Sequence, residues 1–209
     1  MGKWLVLIAH VAGGRKINTN LRRVVIIVGV LNLAYFGVEF AVAVAIGSVS
    51  LFADSVDFLE DASVNFLIAI ALGWSETNRA RVGMALAGIL LIPGLATLWM
   101  AWEKFLLPLP PNPLSLSLTG AGALAINLSC AFMLVRFRAD SGSLTRAAFL
   151  SARNDVLANI AIVAVGFITI LTVSGWPDLL VGLGIGAMNA DAAREVWSAA
   201  REEHKTARP

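Results

Sequence analysis

Six runs of apolar residues alternate with short polar or Gly/Pro-rich breaks along the chain. They cover about Val24–Ile46, Leu51–Gly73, Val82–Trp102, Leu114–Val135, Ala147–Val173 and Leu179–Ala193. Each is close to the ~20 apolar residues that carry an α-helix across a bilayer, with the last the shortest. The breaks read GSVS, WSETNRAR, LPLPPNP, RFRADSGS and SGWPD, all turn-forming compositions. The pattern predicts an all-α, polytopic membrane protein with six transmembrane helices. Residues 22–195 form one membrane domain, between an N-terminal tail at 1–21 and a C-terminal tail at 196–209. The Gly-rich VGLGIG of the last run predicts close helix packing. Pro93-Gly94 predicts a kink in the third helix, and PLPP at 108–111 a stiff turn.

Composition strengthens this picture. Of the 209 residues, 58% are hydrophobic and 14% charged, against about half and a quarter in soluble domains. A soluble enzyme on a single anchor, a secreted domain and a disordered chain are excluded. The cations stand singly or in pairs rather than in a basic, aromatic-laced run, so nucleic acid is not a partner. Cys130 is the single cysteine, which leaves no intramolecular disulfide and no cysteine metal cluster. The apolar run in residues 1–14 is too short for a signal peptide and reads as a tail lying on the membrane.

Charge sets the orientation. Lys3, Arg15, Lys16, Arg22 and Arg23 precede the first run, and Arg79 and Arg81 follow the second. Arg136, Arg138 and Arg146 follow the fourth run, and Arg194, Arg201, Lys205 and Arg208 follow the sixth. The opposite side holds Lys104 alone. Positive charge collects in the cytoplasm, so both termini are expected there, in a multi-pass protein of the inner or plasma membrane. Trp74, Trp99, Trp102 and Trp176 fall at run ends, where amphipathic rings anchor at the interface.

Against that apolar background the acids stand out. The second run reads LFADSVDFLEDASVNF, with Asp54, Asp57, Glu60 and Asp61 in eight positions. At 100° per residue, Asp54, Asp57 and Asp61 fall within about 60° of one another, Asn65 continues their stripe and Glu60 lies to the side. Charges in hydrocarbon are costly and mark function. Carboxylates this close need protons or a cation to neutralise them. In the fifth run Ser151, Asp155 and Asn159 share one face, and in the first run Asn32 and Glu39 do. On a rise of 1.5 Å per residue, Asp155 lies about 12 Å from one side and Asp57 and Asp61 about 9 and 15 Å from the other. The two sets meet near the midplane of a ~30 Å core. Asn65 and Asn159 read as helix–helix hydrogen-bonding residues. Glu39 reads as polar lining or as a hydrogen-bonded packing residue, and Asp54 as an interior group or a cap at the mouth. Arg153 snorkels or balances the acids.

GSVSLFADSVDFLEDASVNF resembles the second helix of the cation diffusion facilitators, six-helix metal–proton antiporters, and AAFLSARNDVLANIAI resembles their fifth. SGWPDLLVGLGIGAMNA is similar to the start of their sixth helix, and the likeness spans roughly residues 22–195. The resemblance implies a metal site at Asp57, Asp61 and Asp155, with Ser151 standing where the family usually has histidine. His10 and His204 lie in the tails. The chain ends soon after the sixth run, which reads as a short form without the family's cytoplasmic domain. The homodimer is the family's usual assembly.

The expected function is therefore proton-coupled efflux of a divalent cation by a secondary transporter, not an enzyme, with no permanently bound cofactor. Its partners are the metal ion, protons and the lipid bilayer. Zinc is the family default, whereas an all-oxygen ligand set favours Mn²⁺, Fe²⁺ or Co²⁺, with Cd²⁺ a further candidate. Two readings compete with it. An intramembrane aspartyl protease would pair Asp57 or Asp61 with Asp155, yet no G-x-G-D motif is present. A noncatalytic scaffold leaves the acidic stripe unexplained.

Overall fold

The computed structural model describes residues 19–71, 92–135 and 143–206. Its described part is helical: α1 Thr19–Ile46, α2 Val49–Ala71, α3 over 92–106, α4 Pro113–Val135, α5 Ser143–Thr172 and α6 Trp176–Thr206. The six helices correspond one to one with the six apolar runs. Residues 82–91 lie outside the described residues, and with them the geometry of the expected kink at Pro93-Gly94.

Local chemistry explains the boundaries at one end. Gly47, at φ 65°, takes the left-handed conformation that ends α1, and the Ser48 amide donates back to Ala43 O at 3.0 Å. Ser48 then caps α2, its hydroxyl accepting the Leu51 amide at 3.2 Å. Asn112 caps α4 in the same way, accepting Ser115 N–H at 2.9 Å, with Pro113 in the first helical position. The 47–48 turn, the 107–112 segment and the 173–175 turn lie together. Lys104 Nζ donates to Gly47 O at 2.7 Å, and Gly175 N–H to Pro108 O at 3.2 Å. All three connections therefore occupy one end of the bundle, the turn end. Gly175 is required there, because a Cβ would stand 2.6 Å from Leu109 O.

The last helix differs from the sequence reading at both ends. Trp176, Pro177 and Asp178 look like turn residues but form the first turn of α6. Proline suits a first turn, where its missing N–H costs nothing. The helix then continues past Ala193 to Thr206, so the expected tail begins as a continuation of the last helix.

Helices α1 and α2 pair, as do α4 and α5, while α6 lies on α2 and α1 touches α4. Gly182 permits the α6–α2 contact, since a Cβ there would meet the Val49 backbone at 2.7 Å. This is the close packing expected of VGLGIG, delivered by one of its glycines. Among the described residues, buried apolar side chains form two main layers, with Val49, Ala101 and Leu179 a smaller cluster at the turn end. Ala43, Leu51, Phe52, Val56, Leu116, Ile162, Val165 and Ile185 fill the layer toward the turn end. Val25, Val28, Ala69, Cys130 and Leu134 fill the other. Between them sit the buried polar residues Asn32, Glu39, Asn127 and Asn159.

The outer surface is apolar: Leu171 is 83% exposed and Phe132 69%. Such a surface requires lipid rather than water. Among the described residues, three helices are long and apolar enough to cross a membrane, Arg22–Ile46, Pro113–Val135 and Asp155–Thr172. In α2 the four acids offset an otherwise apolar sequence. Near the turn end Trp102 stacks on Phe105, with centroids 6.1 Å apart, and Phe105 meets Trp176 edge to face at 5.8 Å. Aromatic rings gather in this way at a membrane interface.

Candidate metal-transport site

Asp57, Asp61 and Asp155 each keep part of their surface accessible. They come from α2 and α5 and lie close enough for their charges to interact, Asp57 with Asp155 and Asp155 with Asp61. One oxygen of Asp155, Oδ2, is buried without a hydrogen-bond partner. The structure thus brings the two predicted sets of acids to one region of the interior. Among the described residues, however, no three acidic, histidine or cysteine side chains converge tightly enough to hold a metal ion. Ser151 lies in α5, four residues before Asp155; its side chain and that of Arg153 are outside the described residues.

The most deeply enclosed acids are not these three. Glu39 and Asp54 have no exposed surface, and their carboxyl groups face each other between α1 and α2. Asp54 is therefore an interior group rather than a cap at the mouth. Asn159 Nδ2 donates to Asp54 Oδ2 at 2.6 Å, and Asn127 Nδ2 donates to Asn159 Oδ1 at 3.1 Å. Asn159 is the interhelical hydrogen-bonding residue expected of it. Neither oxygen of Glu39 receives a hydrogen bond, so the acid has no donor of its own. Asn32 is fully buried, with Cys130 Sγ 3.8 Å from its Oδ1. Glu60, off the stripe on the helical wheel, is nonetheless 4% exposed.

Asn65 corrects the sequence reading. Its amide donates to Asp61 O at 2.7 Å, four residues back in the same helix, and among the described residues it bridges to no neighbouring helix. The nearest carbonyl in its own helix satisfies it, as often happens to short polar side chains in helix interiors.

A second polar cluster closes the turn end, and the sequence reading missed it. Asp178, fully buried, accepts the Ser48 hydroxyl at 2.7 Å, Val49 N–H at 2.9 Å, Ser50 N–H at 3.2 Å and the Ser50 hydroxyl at 2.6 Å. The acid of α6 thus stands at the N-terminus of α2, where free amides and the helix dipole favour an anion. Lys104 of α3 lies 3.5 Å from Asp178 Oδ2. The available signal was Lys104 itself, a lone cation on a side otherwise free of them.

From the turn end inward the bundle presents an ion-paired seal, then the Glu39–Asp54 pair, then Asp57, Asp61 and Asp155. A helical bundle that exposes apolar residues to lipid and encloses carboxylates between its helices is a membrane protein with a cation-attracting interior. A family model described as the cation efflux transmembrane domain matches residues 25–202, and the chain belongs to that family, the cation diffusion facilitators. It is accordingly an integral membrane transporter of metal cations, and the protease and scaffold readings fall away. Comparison with curated proteins gives no match.

Proposed function

We propose that the protein exports a divalent transition-metal ion from the cytoplasm in exchange for protons. Asp57, Asp61 and Asp155 are the metal ligands, and Ser151 or water completes the shell. What supports this assignment is the approach of Asp57 and Asp61 on α2 to Asp155 on α5, three acids within electrostatic reach of one another. Like charges so placed favour a divalent ion from solution, and the ligands must lose protons to bind it. Metal loading on one side and reprotonation on the other then couple the two fluxes, with rocking helices providing alternating access. The Lys/Arg distribution supports an orientation with both termini in the cytoplasm and the turn end outside, in an inner or plasma membrane. An all-oxygen shell favours Mn²⁺, Fe²⁺ or Co²⁺ beside the family's zinc.

The test is transport in proteoliposomes holding a pH-sensitive dye, with Zn²⁺, Mn²⁺, Fe²⁺, Co²⁺ and Cd²⁺ in competition. Proton movement opposite to metal movement is expected, with Mn²⁺ competing effectively against Zn²⁺. Metal flux without proton flux would overturn the antiport, and exclusive zinc transport would overturn the oxygen-ligand argument.

A further inference from the structure

Three oxygens of the Glu39–Asp54 pair have no donor: both of Glu39 and Oδ1 of Asp54. They are fully enclosed, and two facing carboxylates cannot both stay ionised in such surroundings. Among the described residues, the groups around them supply no countercharge. On α1, Tyr35 gives its hydroxyl to Thr119 O at 2.6 Å. On α2 the next charge is Asp57, another anion, and α5 adds Asp155 beyond the neutral Asn159. On α4 the facing group is Asn127, also neutral. Of the cations whose side chains are described, Arg22 donates to Ala69 O, Lys104 donates to Gly47 O and Arg23 is exposed on the outside of α1. A metal ion fits poorly, because the amide at this pair presents its N–H rather than an oxygen, which leaves two carboxylates where even zinc takes four ligands. A proton fits, because it removes one charge and creates the missing donor in the same step.

The amide chain decides which acid carries it. Asn127 donates to Asn159 and Asn159 donates to Asp54, so both amides point their hydrogens toward Asp54. A carboxylate served by an amide donor is the better anion. Glu39, which no group serves, is the acid.

We propose that Glu39 is a proton-carrying site separate from the metal ligands, donating a hydrogen bond to ionised Asp54 and exchanging its proton once in each transport cycle. Its position between the seal at the turn end and the three inner acids lies along the path that an exchanging proton takes. On release the O–H bond at Glu39 breaks and the proton leaves to water through the opened end; reprotonation restores the bond to Asp54. The assignment builds on the proton-coupled exchange proposed above.

Glu39→Gln tests it. The glutamine amide donates to Asp54 permanently, so the bundle folds and the inner acids still bind metal, but no proton can leave. In proteoliposomes of the full chain, with metal and proton fluxes measured together, the variant should move one proton fewer per metal ion than the unaltered protein. Glu39→Asp should restore the ratio at reduced flux. Infrared difference spectra of the unaltered protein should show a protonated-carboxyl band that shifts in D₂O, responds to metal and is missing from Glu39→Gln. An unchanged proton-to-metal ratio in Glu39→Gln, or a spectrum in which that band persists in the variant, overturns the proposal. If Glu39→Gln is inactive, counting protons released on metal binding in two buffers decides in the same way. If the unaltered protein moves metal without protons, the antiport fails, and the infrared band still decides whether Glu39 holds a proton.

Discussion

Lys104, in the last turn of α3, lies 3.5 Å from Asp178 in the first turn of α6, and its ammonium also donates to the carbonyl that ends α1. The pair joins three helices at one point, and Asp178 caps a fourth helix, α2, as well. Asp178→Ala leaves Ser48, Ser50 and Val49 N–H without their acceptor and Lys104 without its counterion. Breaking a buried pair in this way costs about 3–5 kcal/mol. Asp178→Asn keeps an acceptor and should cost less. Thermal unfolding in detergent or lipid nanodiscs checks the order; equal stability of Asp178→Ala and the unaltered protein would show that the cap is idle.

Asp57→Asn, Asp61→Asn and Asp155→Asn each keep side-chain size and remove one charge from the proposed site. Loss of even an outer-shell partner lowers metal affinity about 10–100-fold, so loss of a ligand should do no less. Asn65→Ala, whose amide only returns to Asp61 O, should transport normally. Metal-driven proton flux at matched protein levels is the measurement. If any two of the three aspartate variants transport normally, the metal sits elsewhere.

Ser151→His supplies the nitrogen ligand usual in the family. Imidazole suits zinc better than a hydroxyl does, so zinc should gain on Mn²⁺ in direct competition. Active transport with unchanged selectivity would remove Ser151 from the metal shell.

Asn159→Ala deprives Asp54 of its amide donor and Asn127 of its acceptor. A buried polar group left unsatisfied costs about 1–3 kcal/mol, and two are stranded here. Asn127→Ala strands only the oxygen of Asn159 and should be milder. A double-mutant cycle on unfolding midpoints should return a coupling between the two positions; strict additivity would mean that the chain of amides is not cooperative.

Cys130 is 3% exposed and is the single cysteine, so replacing it gives a clean background for labelling. Cysteines placed at 108–112 should react from outside intact cells, and those placed at 203–206 only after permeabilisation. Labelling of the C-terminal positions from outside would invert the orientation.

The helices were readable because apolar length and Gly/Pro punctuation act locally. Ile46 and Val135 end helices where the sequence places the ends. The acidic face of α2 was readable too, since helical periodicity alone puts Asp54, Asp57 and Asp61 together. Periodicity could not divide that face: Asp54 is enclosed by Asn159 and Glu39, while Asp57 and Asp61 stay partly accessible. That difference depends on which helix packs where. Asp178 was unreadable for a similar reason, because its partners lie 128 to 130 residues earlier in the chain. The destination of the Asn65 amide depended on a rotamer, which spacing does not set.

Helix α6 has 31 residues and begins at the polar cluster around Asp178. At 1.5 Å per residue it is about 46 Å long, against about 30 Å of hydrocarbon. It therefore acts as a lever whose longer part lies in the lipid and whose last ~16 Å projects beyond it. A tilt of about 10° pivoting near Asp178 would sweep the far tip through about 8 Å on that length. Loosening of the Lys104–Asp178 contact at one face of the membrane would thus be registered as displacement at the other, over a distance that no side chain spans.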